Sequence, residues 1–398
     1  MLSLRPMNLA KRLSKIDEPQ TIRMAKLSRE LKTQGKDIID LSLGEPDFKT
    51  PDHIIKAAKE AMDQGYTKYP PVAGFADVKQ AVVDKFLKYN HLKYKLNEVM
   101  VSTGAKQCIY NTMMCLLNPG DEVIIPAPYW VTYVDIVKIS EGTVVEVHGG
   151  FENEFKITPT QLANAITSKT KVFIFSSPCN PTGSIYSFEE LEALAKVFAA
   201  NPHVFIISDE IYEFINFVGK HESIAQFEAI KDRVIVINGL SKAYAMTGWR
   251  LGYMAAHADI IKGCETLQSQ STSGANSITQ RATIAALGGD MQPTYDMVAA
   301  FKERRDYLVE ALKEIEGIKI NTPPGAFYVF PDISFYLGKK DIETAEDFCM
   351  YLLNEAEVGT VTGEAFGNPH CMRISYATSL DKLQEAVKRI KIALEKLR

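Results

Sequence analysis

The chain has 398 residues, 46% hydrophobic and 24% charged, the balance of a globular protein large enough for two domains. A formal net charge of -4 leaves no electrostatic footprint for nucleic acid or an anionic membrane surface. Six cysteines without a C-x-x-C pair, no histidines at metal-ligand spacing, no signal-like core and no run of transmembrane length lead us to expect no metal, no membrane partner and a cytoplasmic location.

Basic residues open the chain (Arg5, Lys11, Arg12, Lys15) and Asp17 and Glu18 follow at once, the pattern of a solvated arm. A helix is expected over 22–33, then a strand and turn over 38–44. From about residue 50 to 290, short β-rich runs alternate with helical patterns; the runs are 122–126, 143–147, 171–175, 203–207, 233–237 and 251–255. Their near-continuous apolar character fits strands buried on both faces, and intervening helices such as 188–199 supply crossovers. A mostly parallel α/β sheet follows. Cys108 and Cys115, seven apart on one expected helix, are assigned to its buried face. Gly288, Gly289, Asp290 and Pro293 break the pattern before a long charged helix over about 294–315, and a last helix spans 380–397. The expected division is an arm with part of a small domain (1–48), a large domain (49–294) and a small C-terminal domain (295–398).

In open α/β sheets, ligands gather at the carboxyl ends of the strands. Three apolar runs end in polar residues: Ser176-Ser-Pro-Cys-Asn180-Pro-Thr-Gly183, Ser208-Asp209-Glu210-Ile211-Tyr212, and Asn238-Gly-Leu-Ser241-Lys242 continuing to Arg250. Taken singly, each has an ordinary explanation. Asn-Pro-Thr-Gly is turn chemistry, Asp209 suits a helix N-cap, and an isolated lysine is commonly a surface residue. Their order and spacing together are far more specific.

On these residues the chain resembles the class I aminotransferases, the fold-type I pyridoxal-phosphate (PLP) enzymes. The resemblance runs from Ser42-Leu-Gly-Glu-Pro-Asp-Phe48 through Tyr66-Thr-Lys-Tyr69-Pro-Pro-Val-Ala-Gly74 to Arg373-Ile-Ser-Tyr-Ala-Thr-Ser379, and the stretch Ser241-Lys242 to Gly248-Trp249-Arg250 is its most specific part. It implies a large, mostly parallel-sheet domain with a smaller α/β domain drawn from both termini. The implied activity is ping-pong amino transfer between amino acids and 2-oxo acids through a Schiff base on Lys242.

The resemblance also assigns roles. Lys242 would hold the cofactor aldehyde and later shuttle the substrate Cα proton. Asp209 would pair with the protonated ring nitrogen, and Glu210 should point elsewhere. Asn180 and Tyr212 would bond the phenolic oxygen. The phosphate would sit where a strand ending near Ser102 gives way to Gly104, Ala105 and Lys106 at a helix start, with Ser241 and Arg250 beside it. Tyr69 would reach the phosphate of a second subunit, which implies a homodimer. The family often carries a hydroxyl three residues before the lysine; Gly239 stands there instead. Trp130 would stack on the ring, Arg373 would clamp the substrate α-carboxylate, Gly44 would leave it room, and Thr21 and Ile22 would close over it.

Substrate choice is less legible. The stretch 268–276, where one branch of the family places an arginine for a second carboxylate, is uncharged. Lys106 and Thr21 match the bacterial branch that recognises acidic substrates, so aspartate with 2-oxoglutarate is the expected pair. Aromatic amino acids or prephenate are the alternative on the same scaffold. A PLP lyase and a non-catalytic PLP-fold sensor are the other two classes; the Arg373 clamp argues against decarboxylation, and no basic helix-turn-helix extension precedes residue 20.

Overall fold

The computed structural model describes residues 9–397, so Arg5 of the basic arm lies outside the described residues. Lys11, Arg12 and Lys15 are exposed on a short 3-10 turn. The elements that follow are α1 (Gln20–Thr33), β1 (Ile39–Asp40), α2 (Asp52–Asp63), α3 (Ala76–Lys85), β2 (Val99–Ser102), α4 (Ala105–Leu116), β3 (Glu122–Ala127), α5 (Thr132–Ile139) and β4 (Thr143–His148). Next come α6 (Pro159–Ala165), β5 (Thr170–Ser176), α7 (Phe188–Ala199), β6 (Phe205–Asp209), β7 (Val234–Gly239), β8 (Gly252–Ala255), α8 (Ala258–Ser269) and α9 (Ser277–Gly288). The chain closes with α10 (Gln292–Lys313), β9 (Tyr328–Val329), α11 (Ala345–Glu355), β10 (Val358–Gly359), β11 (Val361–Thr362), β12 (Met372–Ser375) and α12 (Leu380–Glu395).

Seven strands form the central sheet in the order β2-β8-β7-β6-β5-β3-β4. β8 runs antiparallel to both of its neighbours and every other pair is parallel. The apolar runs explain the placement: Val172, Phe173, Ile174, Ile206, Ile207 and the four residues of 234–237 are fully buried. Burying each such side chain stabilises the fold by about 1.5–3 kcal/mol, so these strands take the centre. Capping boxes start two crossover helices, Thr158 with Gln161 on α6 and Ser187 with Glu190 on α7. From β3 the chain goes outward to β4, then returns to β5 on the other side of β3. Strand order therefore reverses at β3, which opens a crevice at the carboxyl ends.

Outside this sheet, β11, β12 and β9 form an antiparallel sheet, and β1 pairs in parallel with β10 through Ile39 opposite Val358. The N-terminal segment is thus stitched to the C-terminal one. Helices α10, α11 and α12 cover these small sheets around a second apolar cluster that includes Phe301, Leu308, Phe348, Leu352 and Ile390.

Two local expectations change. Pro293 lies in the first turn of α10, where its missing N–H removes no helix bond, so it starts the helix it was expected to precede. Cys115 is exposed although Cys108 on the same helix is buried. It stands in the last turn of α4, and its sulfur lies close to Gly263 of α8. All six cysteines are free thiols, and among the described residues no helix is long and apolar enough to cross a membrane.

Candidate active site

The strand directions bring the polar residues to one edge. Trp130, Asn180, Asp209, Tyr212 and Lys242 follow the carboxyl ends of four parallel strands, β3, β5, β6 and β7. β8 is antiparallel, so Arg250, just before its first residue, arrives at the same edge. β2 is antiparallel to β8 and delivers Gly104, Ala105 and Lys106 there as well. A cavity of about 280 Å³ lies at this edge, and Thr21, Gly44, Tyr328 and Arg373 from outside the sheet complete its wall. Tyr69 is not part of this lining; it is 92% exposed on its own chain.

Lys242 projects from the turn after β7, and its Nζ donates to the Gly44 carbonyl at 2.5 Å. Desolvation lowers its pKa to about 8, helped by the positive charges of Arg373 and Arg250. Asp209 is the last residue of β6 and is 4% exposed. No helix follows it, so it caps nothing. Its oxygens accept the Tyr133 hydroxyl at 2.7 Å and the Ile211 N–H at 3.2 Å, and among the described residues no cation forms a salt bridge with it. Burial raises its pKa to about 6. A buried carboxylate held this way gains most from a cationic partner.

Glu210 points to the other side of the strand. Ser208 and Ser223 donate to it at 2.9 and 2.6 Å, and His221 Nε2 lies 3.0 Å away. Glu213 continues the cluster: it pairs with the buried Lys85 ammonium and accepts from Asn90 at 2.9 Å. Glu210, Glu213 and His221 converge as metal ligands would, but Lys85 already supplies the cation. The arrangement is a charge-paired brace behind the residues that carry Asp209 and Tyr212.

Arg373, on β12, is 2% exposed. It donates to Asn180 Oδ1 at 3.0 Å and to the Ser42 carbonyl at 2.5 Å, while its Nε has no hydrogen-bond partner. Gly44 leaves room because a Cβ there would fall 2.2 Å from the Tyr328 hydroxyl. Asn180 and Tyr212 line the same cavity, and the Tyr212 hydroxyl bonds that of Tyr328 at 2.8 Å.

At the opposite end, Gly104 takes a left-handed φ of 85° and opens the N-terminus of α4. A Cβ there would sit 2.3 Å from an Arg250 guanidinium nitrogen, so only glycine lets Arg250 lie across the helix start. The first N–H groups of α4, from Ala105 and Lys106, precede any intrahelical acceptor, and both residues line the cavity. Ser241 lines the cavity between this end and Lys242. Gly239 is packed by backbone: a Cβ would meet Gly252 Cα and the Leu251 carbonyl at 3.1 Å each. Gly252 is tighter still, its hypothetical Cβ lying 2.2 Å from Ala105 N.

Lys106 places its ammonium 4.9 Å from the Trp130 ring centroid. Desolvation and the nearby Arg250 charge lower its pKa. Thr21 lines the cavity from α1, while Ile22 beside it is exposed. The uncharged 268–276 stretch is structural in part, since Gln268 is buried and donates to the Val72 and Val101 carbonyls at 2.7 and 2.9 Å.

Sequence reading missed Tyr133 and Tyr328. Tyr133 stands one helical turn after Trp130, a spacing that could have drawn attention to it. Tyr328 lies in an apolar stretch with no polar signal at all.

The donor set suits PLP: an amine for its aldehyde, a buried and unpaired carboxylate for its ring nitrogen, and a helix N-terminus with an arginine for its phosphate. A flat aromatic, Trp130, stands in the same wall.

The family model described as "Aminotransferase class I and II" matches residues 36–390. The chain is 46% identical over 392 residues to the aspartate/prephenate aminotransferase of Nitrosomonas europaea, covering 96% of this chain and 99% of that one. It is 45% identical over 392 residues to the aspartate aminotransferase of Bacillus subtilis, covering 98% and 100% respectively. The solved aspartate aminotransferase of Rhizobium meliloti superposes with a TM-score of 0.96 at 41% identity, over 98% of this chain and 100% of that one.

Proposed function

The chain belongs to the class I and II aminotransferases, with their fold-type I architecture, and from that footing we propose that it exchanges amino groups between aspartate and 2-oxoglutarate with PLP held on Lys242. The observation that carries the reading is one cavity holding a desolvated amine, a buried carboxylate with no salt-bridge partner and a buried arginine fork.

When bound, PLP supplies an electron sink for the bond to the substrate Cα. The chain's residues do the rest. Asp209 would hold the positive charge at the ring nitrogen. Tyr212 and Asn180 would donate to the phenolic oxygen, with Trp130 beside the ring. Ala105, Lys106, Ser241 and Arg250 would hold the phosphate, with Tyr69 of a second copy completing the cup in a homodimer. Lys242 Nζ would take the proton from the substrate Cα. Its lowered pKa keeps amine and ammonium close in energy near neutral pH, as a proton shuttle requires. Arg373 clamps the α-carboxylate, and Thr21 closes the mouth against water. We place the domain boundaries at residues 48 and 294 and the protein in the cytoplasm.

A half-reaction screen tests this reading: the PLP form is mixed with single amino acids and its conversion to the amine form is followed by absorbance. Aspartate and glutamate should convert fastest. A second reading, aromatic or prephenate-type substrates, has its own support in Trp130, Tyr133, Tyr212 and Tyr328 around the cavity and in the aspartate/prephenate aminotransferase of Nitrosomonas europaea. Faster conversion by phenylalanine or tyrosine would select it.

Lys106 decides between them. Its ammonium is assigned to the side-chain carboxylate of acidic substrates, a charge-assisted contact worth about 1.5–3 kcal/mol, or roughly ten- to a hundredfold in kcat/KM. Lys106→Ala should lose that factor for aspartate and glutamate and much less for alanine or phenylalanine. Equal losses for all substrates together with weaker PLP binding would reassign Lys106 to the phosphate, a role its closeness to Arg250 allows.

A further inference from the structure

Tyr212 and Tyr328 are both buried, and their hydroxyl oxygens are 2.8 Å apart. Each phenol has one proton. If Tyr212 donates to Tyr328, it can present only lone pairs to the cavity, which would repel an anionic ligand oxygen. If Tyr328 donates, the Tyr212 proton is free for that oxygen. The surroundings break the tie. The Arg373 guanidinium lies 4.5 Å from the centroid of the Tyr328 ring, and a cation over the π face draws density from the ring and strengthens its O–H as a donor. Lys242 Nζ is 5.8 Å from the Tyr212 ring, a more distant influence. Burial pushes both phenols up; Arg373 is the main pull against it at Tyr328, while Tyr212 ends well above the ordinary tyrosine value.

Tyr328 is also fixed in place. β9 holds it opposite Ser375 of β12, the strand that carries Arg373, and Gly44 fills no space beside its hydroxyl. Its ring meets that of Tyr212 edge-on, at 5.8 Å between centroids.

We infer that Tyr328 is a positioning residue: it donates its hydroxyl proton to Tyr212 and so reserves the Tyr212 proton for the ligand oxygen in the cavity. The inference rests on the cofactor role proposed for Tyr212, and it adds a residue that acts through Tyr212.

Tyr328→Phe removes the hydroxyl and keeps the ring against Arg373. The readout is the pH titration of the visible absorbance of the holoenzyme, measured for Tyr328→Phe, Tyr212→Phe and the double variant. Losing the Tyr212 hydrogen bond should raise the proton affinity of the bound chromophore, because the deprotonated form loses a donor to its phenolic oxygen. Tyr212→Phe should raise it about threefold to tenfold, the scale of one hydrogen bond. Tyr328→Phe leaves the Tyr212 proton in place but removes the donor that polarises its O–H, so it should raise it by a smaller factor, about twofold, and the double variant should match Tyr212→Phe alone. kcat for aspartate should fall several-fold in Tyr328→Phe with KM little changed. A native titration in Tyr328→Phe beside a shifted one in Tyr212→Phe overturns the inference and leaves the role of Tyr212 standing. A native titration in both overturns the role of Tyr212 and the inference with it. Additive shifts in the double variant show two independent contacts and overturn the relay.

Discussion

Lys242→Ala should abolish turnover while leaving a folded protein. The side chain ends in a cavity and its hydrogen bond there is to the Gly44 carbonyl, so the fold does not depend on it. Two functions disappear together, the covalent hold on the cofactor and the transfer of the Cα proton. Proton transfer by a positioned base alone contributes about 10²–10⁴-fold, and loss of the nucleophile adds to it, so a fall of roughly four orders of magnitude or more is expected. Borohydride treatment of native holoenzyme followed by peptide mapping should place the reduced cofactor on the peptide containing Lys242. A label on any other lysine refutes the assignment. An added small primary amine should restore part of the proton transfer in the variant, which simple unfolding would not permit.

Asp209→Asn carries the second large effect, and it has two signs. In the holoenzyme it would remove the anion proposed to face the ring nitrogen. Breaking a buried charge pair costs about 3–5 kcal/mol, or roughly two to four orders of magnitude in the rate of Cα deprotonation. In the cofactor-free protein the same change should stabilise. The folded pKa of Asp209, about 6, lies above the ordinary aspartate value of 3.8, so the folded state binds this proton more tightly than the unfolded one. Ionising the carboxylate therefore costs stability: nothing below the unfolded pKa, more as pH rises to the folded one, and the full amount above it, on the order of 3 kcal/mol at most. Asparagine carries no such cost. Thermal melts of the cofactor-free variant should exceed those of the native protein at pH 8, and the gap should narrow at pH 5. A variant destabilised equally at both pH values would mean that the hydrogen bonds from Tyr133 and Ile211 matter more than the charge.

Much of the site was legible because parallel strands buried on both faces end abruptly in polar residues. Asn180, Asp209 and Lys242 stand where apolar runs stop, and the fold delivers all three to one crevice. Arg250 and the start of α4 were legible as motif, but only the antiparallel course of β8 explains why they meet. Tyr133 and Tyr328 escaped because an aromatic beside a cavity looks, in one dimension, like an aromatic in a core. The brace of Lys85, Glu210, Glu213 and His221 escaped for another reason: Lys85 and Glu213 belong to elements far apart in the chain, and only the tertiary fold pairs them. β1 falls within the strand and turn expected over 38–44, but two-residue strands such as β10 and β11 are too short for any periodicity to show. The exposure of Cys115 is set by tertiary packing around the last turn of α4, which spacing along one helix does not show.

The tight backbone crossing at Gly104, Gly239 and Gly252 bears on how such a site can be redesigned. The family pattern often carries a hydroxyl where Gly239 stands, and restoring one looks like a single step. Here that side chain would press on Gly252, which already abuts the amide of Ala105, and Ala105 adjoins Gly104 beneath Arg250. Those contacts of 3.1 Å require Gly252 and Leu251 to give by a few tenths of an ångström, and the shift would bear on the helix start proposed to hold the phosphate. Position 239 is therefore coupled to its neighbours in an epistatic sense: its tolerated alphabet is set by residues on β8 and at the start of α4. A combinatorial library that varies β8 in the same molecules samples more of that give than saturating position 239 alone.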